Sequence, residues 1–321
     1  MNSRRRHQTC GVLVGICVLV SSACANTDFV NGADGGAPDT RGIGTLDAAP
    51  IQQQRAELWY AIESTLVHIE LNGAQEISTG PTGYVKDIHT STITPSLSVG
   101  HNSLVVLDDG SLLGARLSIP EHDTQFYHIA QPPRDGSPVT AKIIGLMPDN
   151  IRIEAMHVDC KGRVYVMDTG VHDGTPEGNR LLRFTGDIVA GDFSFEVINS
   201  LENAPDIDDM GPGVVDGEIT DNPGFAIDSG DIYDFNYQQG TGKRVGSGGT
   251  WGIHALGRQM FSDDKARIYV LSQDGELYWV DPVTMIRSSR LETGPKAING
   301  YDGWSGLAGP LSSCKSGFIV E

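Results

Sequence analysis

Basic residues are scarce in this chain. Lys and Arg number 23 against 41 Asp and Glu, which leaves a formal net charge of −18. An acidic surface repels phosphate backbones and anionic lipid heads, so nucleic-acid binding is excluded and a cationic partner or metal ion is favoured. Long apolar runs are missing too. The longest, Gly11–Val20 (GVLVGICVLV), is too short to span a bilayer as a helix. No amphipathic pattern persists for more than a few turns, which argues against an α-helical domain. The motif inventory is equally thin. Gly303-Trp-Ser305-Gly-Leu307 lacks the last Gly of a nucleophile elbow, and Gly240-Thr-Gly-Lys243-Arg244 lacks the first Gly and the Ser/Thr of a P-loop. There is no His-Glu-x-x-His and no Cys-x-x-Cys, so no nucleotide cofactor is expected.

What is present begins with a targeting segment. Arg4, Arg5 and Arg6 precede the apolar run, and together they read as a signal peptide over residues 1–25. Its end supports two readings. Ala23-x-Ala25 is a small-x-small cleavage site, whereas the small residues before Cys24 fit a lipoprotein signal that would leave Cys24 lipidated. Either way the chain is expected to be exported, to the periplasm, the cell surface or the medium. Residues 26–55 are rich in Gly, Ala, Asp and Pro without periodicity and read as a flexible tether.

From residue 56 to 321 the chain reads as short strands between turn signals, consistent with 40 Gly and 16 Pro. Ile151–Gly170 is the clearest unit: a strand (IRIEAMHV), a polar turn (Asp159-Cys160-Lys161-Gly162), and a second strand (RVYVMD). Asp108-Asp-Gly, Asp228-Ser-Gly and Asp263-Asp-Lys-Ala are aligned with that turn, each ahead of a strand. Recurrence of this kind predicts an all-β fold, a β-propeller of five to six four-stranded blades. Trp304–Pro310 resembles the opening of a blade, and Glu57–Glu63 with Thr65–Leu71 the remainder of one. The ring is therefore expected to close with strands from both termini, which abolishes sheet edges. Ser200–Asn222 has room for a sixth blade. Cys160 and Cys314 fall in the same turn of two blades, separated by the ring's rotation. Two unpaired cysteines are therefore expected, since a disulfide needs Cα atoms within about 7 Å.

Aligning the blades on their turns places Asn102/Ser103, Glu154, Asn222/Pro223, Arg258 and Trp304/Ser305 at the openings of the innermost strands. A carboxylate with amide oxygens on one axis suits Ca²⁺, which makes Glu154, Asn102 and Asn222 the candidate metal ligands. The bland alternative is an ion-paired or solvated Glu154, and Arg258 would compete with a cation. Residues 206–234 carry nine acidic side chains and no basic one. They do not complete an EF-hand, because Met210 and Gly217 stand at ligand positions. Asp168 and His172, four positions apart, suit acid/base or metal chemistry, but more simply form a turn with an exposed His.

The segment from Glu154 to Asp168 resembles the blades of gluconolactonase and strictosidine-synthase-like propellers and of the esterase-like phytase family. Glu276–Thr284 (ELYWVDPVT) is similar to their outer strands. The resemblance covers most of Glu57–Glu321 as architecture. It implies one divalent cation in the channel, held by a Glu that opens an inner strand and by Asn and Asp from other blades. Glu154 matches that Glu, with Ala155-Met156 where the family has Gly-Pro. Two functions follow as expectations. One is an exported, monomeric binding or interaction module, lipid-anchored if Cys24 is modified, that takes a protein or small-molecule ligand at the channel face. The other is a Ca²⁺-dependent hydrolase of the lactonase, esterase or phosphoesterase kind, with catalytic residues unassigned.

Overall fold

The computed structural model describes residues 55–74, 80–96, 101–118, 123–147, 151–168, 180–200, 207–247, 251–296 and 305–311. All of them belong to one compact unit, 52–321. The signal segment, Cys24 and nearly all of the tether lie outside the described residues. Five four-stranded sheets follow one another as the blades of a propeller. Blade 1 contains β1 (Glu57–Ile62), β2 (Thr65–Leu71) and β3 (Val85–Thr94). Blade 2 contains β4 (His101–Val106), β5 (Leu112–Ser118) and β6 (Asp123–Ile129). After β6 a short β7 (Val139–Thr140) crosses to pair in parallel with β3, and β8 (Lys142–Leu146) completes blade 2. Blade 3 is β9 (Ile153–Val158), β10 (Val164–Asp168), β11 (Arg180–Phe184) and β12 (Phe195–Ser200). Blade 4 is β13 (Asp209–Val215), β14 (Glu218–Asp228), β15 (Asp231–Asn236) and β16 (Thr241–Ser247). Blade 5 is β17 (Gly252–Leu256), β18 (Arg267–Leu271), β19 (Glu276–Val280) and β20 (Glu292–Thr293).

Five apolar clusters sit at the five seams between adjacent blades. Leu58, Tyr60 and Ile62 of β1 point into the seam with blade 5, and their alternates Trp59 and Ala61 into the seam with blade 2. Met156 and Val158 of β9 face blade 2, while Ala155 of the same strand faces blade 4. Successive side chains of a strand point to opposite faces. Because both faces are covered here, the strands read as nearly continuous apolar runs such as Leu112–Ala115 and Val164–Met167.

The repeated turns owe their shape to Asp and Gly. Asp159 Oδ1 accepts from the backbone N–H of Lys161 and Arg163, both at 2.9 Å, and Gly162 takes φ 73° to close the hairpin. Asp108-Asp-Gly does the same duty between β4 and β5. Asp228-Ser-Gly, however, joins β14 to β15, the second and third strands of its blade, not the first and second. Asx–Gly chemistry serves any tight hairpin, so the turn alone does not reveal which hairpin it belongs to. The innermost strand of blade 4 is β13, inside the stretch that had room for a sixth blade. That of blade 5 is β17, upstream of the segment aligned there.

Closure uses both ends of the chain, as expected. Trp59 N donates to Ala308 O at 2.7 Å and Ala308 N to Trp59 O at 2.8 Å. Ala61 N donates to Ser305 Oγ at 2.7 Å, and Ser305 N returns a bond to Ala61 O at 3.2 Å. The segment 305–308 thus lies inside β1 as the innermost strand of blade 1. One expectation fails. Cys160 is disulfide-bonded. Blades diverge toward the rim, but the innermost strands β4, β9, β13 and β17 touch in ring order at the axis. The ring's rotation therefore does not by itself keep apart the ends of these strands.

Trp59 is 1% exposed and fills the seam between blades 1 and 2 beside the closing pair. Trp59→Ala is expected to cost about 3–5 kcal/mol by urea denaturation. Val283→Ala, at a position 88% exposed, should leave the midpoint unchanged.

Candidate functional site on the propeller axis

The innermost strands enclose a small axial cavity. Val105 and Val106 of β4, Val158 of β9, Met210 of β13, and Leu307 and Ala308 of the closing strand contribute apolar walls. His157 of β9 and His254 of β17 are the polar members. The space holds at most about one water molecule. Both imidazoles are buried, and the Nε2 of each lacks a hydrogen-bond partner. His157 stacks on Tyr237, with ring centroids 4.4 Å apart and planes at 17°. The Tyr237 hydroxyl is shared between the carbonyls of Gly211 and Phe225, at 2.9 and 3.0 Å. His254 packs against Gly309, where a Cβ would come within 2.9 Å of its Nε2.

Burial holds the His157 imidazole down to about 4, partly offset by Asp159. His254 is held down to about 3 by burial and by its nearness to His157, against a backbone hydrogen bond to Pro310. Both rings are therefore neutral at physiological pH. Asp209, the first residue of β13, is also on the axis. Its Oδ2 accepts from Ile253 N at 2.7 Å and from Leu307 N at 2.9 Å, so one carboxyl ties blade 4 to blades 5 and 1. Burial pushes this carboxyl well above the usual carboxylate range despite those two bonds. Gly306 beside it has φ 72°, and a Cβ there would lie 2.5 Å from Asp209 Oδ1. These groups position backbone and one another, and none presents a nucleophile to solvent.

A second polar cluster lies between blades 1 and 2. Glu57 of β1 accepts two hydrogen bonds from Arg134, at 2.6 and 2.7 Å, and pairs with His68 Nε2 at 3.0 Å. Burial opposes ionisation of Glu57, but the bonds from Arg134 and His68 outweigh it and bring the carboxyl down to about 2. Arg134 also lies over the Trp59 ring at 5.7 Å. This is a strut that pins the β6–β7 connection to blade 1.

The residues singled out from sequence do not converge. Glu154 is half-buried near the start of β9, on an innermost strand. Asn102 is on β4, and its side chain lies outside the described residues. Asn222 is on β14, a second strand, where its Oδ1 accepts from Tyr237 N at 2.9 Å. Arg258 follows β17 in a 3₁₀ turn and pairs with Glu218 at 2.5 Å. Asp168 is buried against Arg180 at 2.6 Å, and His172 lies outside the described residues. Among the described residues no three His, Cys, Asp or Glu side chains are grouped to hold a metal. Asn222 thus lies off the innermost strand with its oxygen engaged. The axial pair His157 and His254 escaped sequence reasoning because nothing local distinguishes them from scattered core histidines. Arg134 escaped because its partner is 77 positions away.

Fold and axis together define a five-bladed β-propeller with a filled centre. No protein-family model and no curated protein matches the chain. Among solved structures it is similar to a catalytically inactive virginiamycin B lyase from Staphylococcus aureus with quinupristin. Identity is 12% over 77% of this chain and 73% of that one, with a TM-score of 0.35. It is also similar to a structural-genomics protein of unknown function from Bacteroides thetaiotaomicron, 13% identical over 78% of this chain, with a TM-score of 0.41. The match covers 61% of that second protein, less than two thirds of its length. At these identities the likeness concerns the fold alone.

Histidines held below their unfolded value of about 6.5 give stability that is full above that pH and lost as pH falls toward the folded values. Unfolding free energy is expected to drop between pH 6.5 and 4, with a slope of up to about 1.4 kcal/mol per pH unit for each ring. His157→Phe keeps the stack on Tyr237 and should remove one share of that slope in urea titrations across pH. At the strut, Arg134→Met leaves Glu57 buried with only His68 and should cost on the order of 2 kcal/mol or more at neutral pH. Denaturation of the variant checks this.

Proposed function

We propose that the chain is an exported binding module that takes its ligand at a face of the ring, not inside it. One observation carries this reading: among the described residues the axis is lined by aliphatic side chains and neutral imidazoles, with room for at most about one water. Among the described residues, an axis packed in this way offers a rigid platform with little room for a substrate between the innermost strands. The net charge of −18 favours a cationic ligand, whether small molecule or protein. Export is supported by the N-terminal signal pattern and by the disulfide at Cys160, a bond that persists in oxidising compartments. Lipidation of Cys24 would place the module, read as a monomer, on a membrane surface.

A second reading, Ca²⁺-dependent hydrolysis of the lactonase or phosphoesterase kind, is favoured by the position of Glu154 near the opening of an innermost strand. Thermal denaturation with Ca²⁺ or with chelator separates the two, because a ligand of the native state raises stability. The binding module predicts no shift from Ca²⁺ and no turnover on lactone, ester and phosphoester panels. It also predicts salt-sensitive binding of an oligolysine peptide by fluorescence anisotropy. Turnover that needs Ca²⁺ and disappears in Glu154→Gln would replace it with the hydrolase.

A further inference from the structure

We infer that His157 and His254 form a binding site for one soft monovalent cation, Cu⁺, in the axial cavity. Each ring is buried, each lines the cavity, and the Nε2 of each lacks a hydrogen-bond partner. A buried polar nitrogen without a partner costs free energy, so two of them in the walls of one small space call for a guest. His254 also shows which of its nitrogens is free. Its ring is hydrogen-bonded to the backbone of Pro310. Proline has no N–H, so the acceptor is the Pro310 carbonyl and the imidazole donates. With Nε2 unpartnered, the donor is Nδ1, and Nε2 keeps its lone pair. A carbonyl that takes the far N–H in this way is what orients metal-bound imidazoles. Gly309 leaves that edge of the ring open, since a Cβ there would lie 2.6 Å from Cδ2 and 2.9 Å from Nε2.

The donor set selects the ion. Beside the two imidazoles the cavity wall includes Met156 and Met210 and, among the described residues, no carboxylate or thiol. Ca²⁺ takes about six to eight oxygen ligands, and structural Zn²⁺ takes about four ligands, so neither is served here. A doubly charged ion buried with no anion in contact would also be costly. Cu⁺ carries a single charge, is held by as few as about two ligands, and favours imidazole and thioether donors. An ion between two Nε2 atoms needs them about 4 Å apart, twice a metal–imidazole bond of about 2 Å. The space of at most about one water is the space it would fill. The two rings come from β9 and β17, in blades 3 and 5, which do not adjoin. A bound ion therefore ties two blades across the axis, whatever the faces of the ring take.

Silver ion is the probe, because Ag⁺ shares the softness and low coordination number of Cu⁺ and needs no reductant. Full-length protein with ¹⁵N-labelled histidine, alkylated so that free thiols do not compete, is titrated with Ag⁺ and followed by NMR. One equivalent is expected to move the Nε2 signals of two of the nine histidines, and Tm should rise with it. His157→Phe and His254→Phe should each weaken Ag⁺ binding at least tenfold, whereas His89→Gln should leave it unchanged. Imidazole signals that stay in place at one equivalent would overturn the inference and assign the space to a water donating to both nitrogens. Two signals that still move in His157→Phe would overturn it as well. X-ray absorption of the Cu⁺-loaded wild type needs no variant and should show two nitrogen neighbours at about 2 Å. A shell of sulfur alone would refute the site.

Discussion

Everything in this molecule depends on a short piece of backbone pairing. The mutual hydrogen bonds of Trp59 and Ala308 make the last described residues the innermost strand of the first blade. Without them the ring would be an open stack of sheets with two apolar edges. Once they form, each blade has a neighbour on both sides, and the five seam clusters become one continuous annulus of buried side chains. Burial on two faces is what justifies strands as apolar as β1 and β10, which would be aggregation-prone in a half-solvated sheet.

Polar groups at the centre serve that same closure. Asp209 reaches two backbone N–H groups on two other blades and crowds Gly306, so the closing strand is both hydrogen-bonded and sterically registered. His157 and His254 are neutral spacers in an apolar axis, and acid is the condition under which their burial turns costly. The Glu57–His68–Arg134 strut does comparable work away from the axis, where an arginine from a loop of blade 2 satisfies a carboxylate that the first strand buries. The buried carboxylates Glu57 and Asp209 thus join blades, whereas pairs such as Arg180–Asp168 and Arg267–Asp263 stay within one.

Much of the architecture was legible in the chain. The hairpin from Ile151 to Gly170 was read with its turn at Asp159–Gly162, and the structure keeps both strands and the turn. The composite blade was legible because an apolar segment near each end lacked a partner in its own neighbourhood. Register was not. Asp228-Ser229-Gly230 has the chemistry of a tight turn wherever it occurs, and aligning it with Asp159 moved Asn222 onto the wrong strand. The innermost strands β13 and β17 went unread because MGPGVV and GIHAL are poor in β-branched and charged punctuation.

The amino-acid sequence by itself determined the element type, the turn chemistry and the closure from both ends, because these follow from backbone preferences and from the burial of one strand's two faces. Only the tertiary structure decided which strand of each blade lies innermost, that the axis is filled, and that Cys160 is bonded. Those outcomes depend on how five sheets converge on one line. Convergence brings Asp209 to Leu307 and Val158 to the neighbourhood of Leu311 across some hundred or more positions of chain, a distance over which no local pattern carries information.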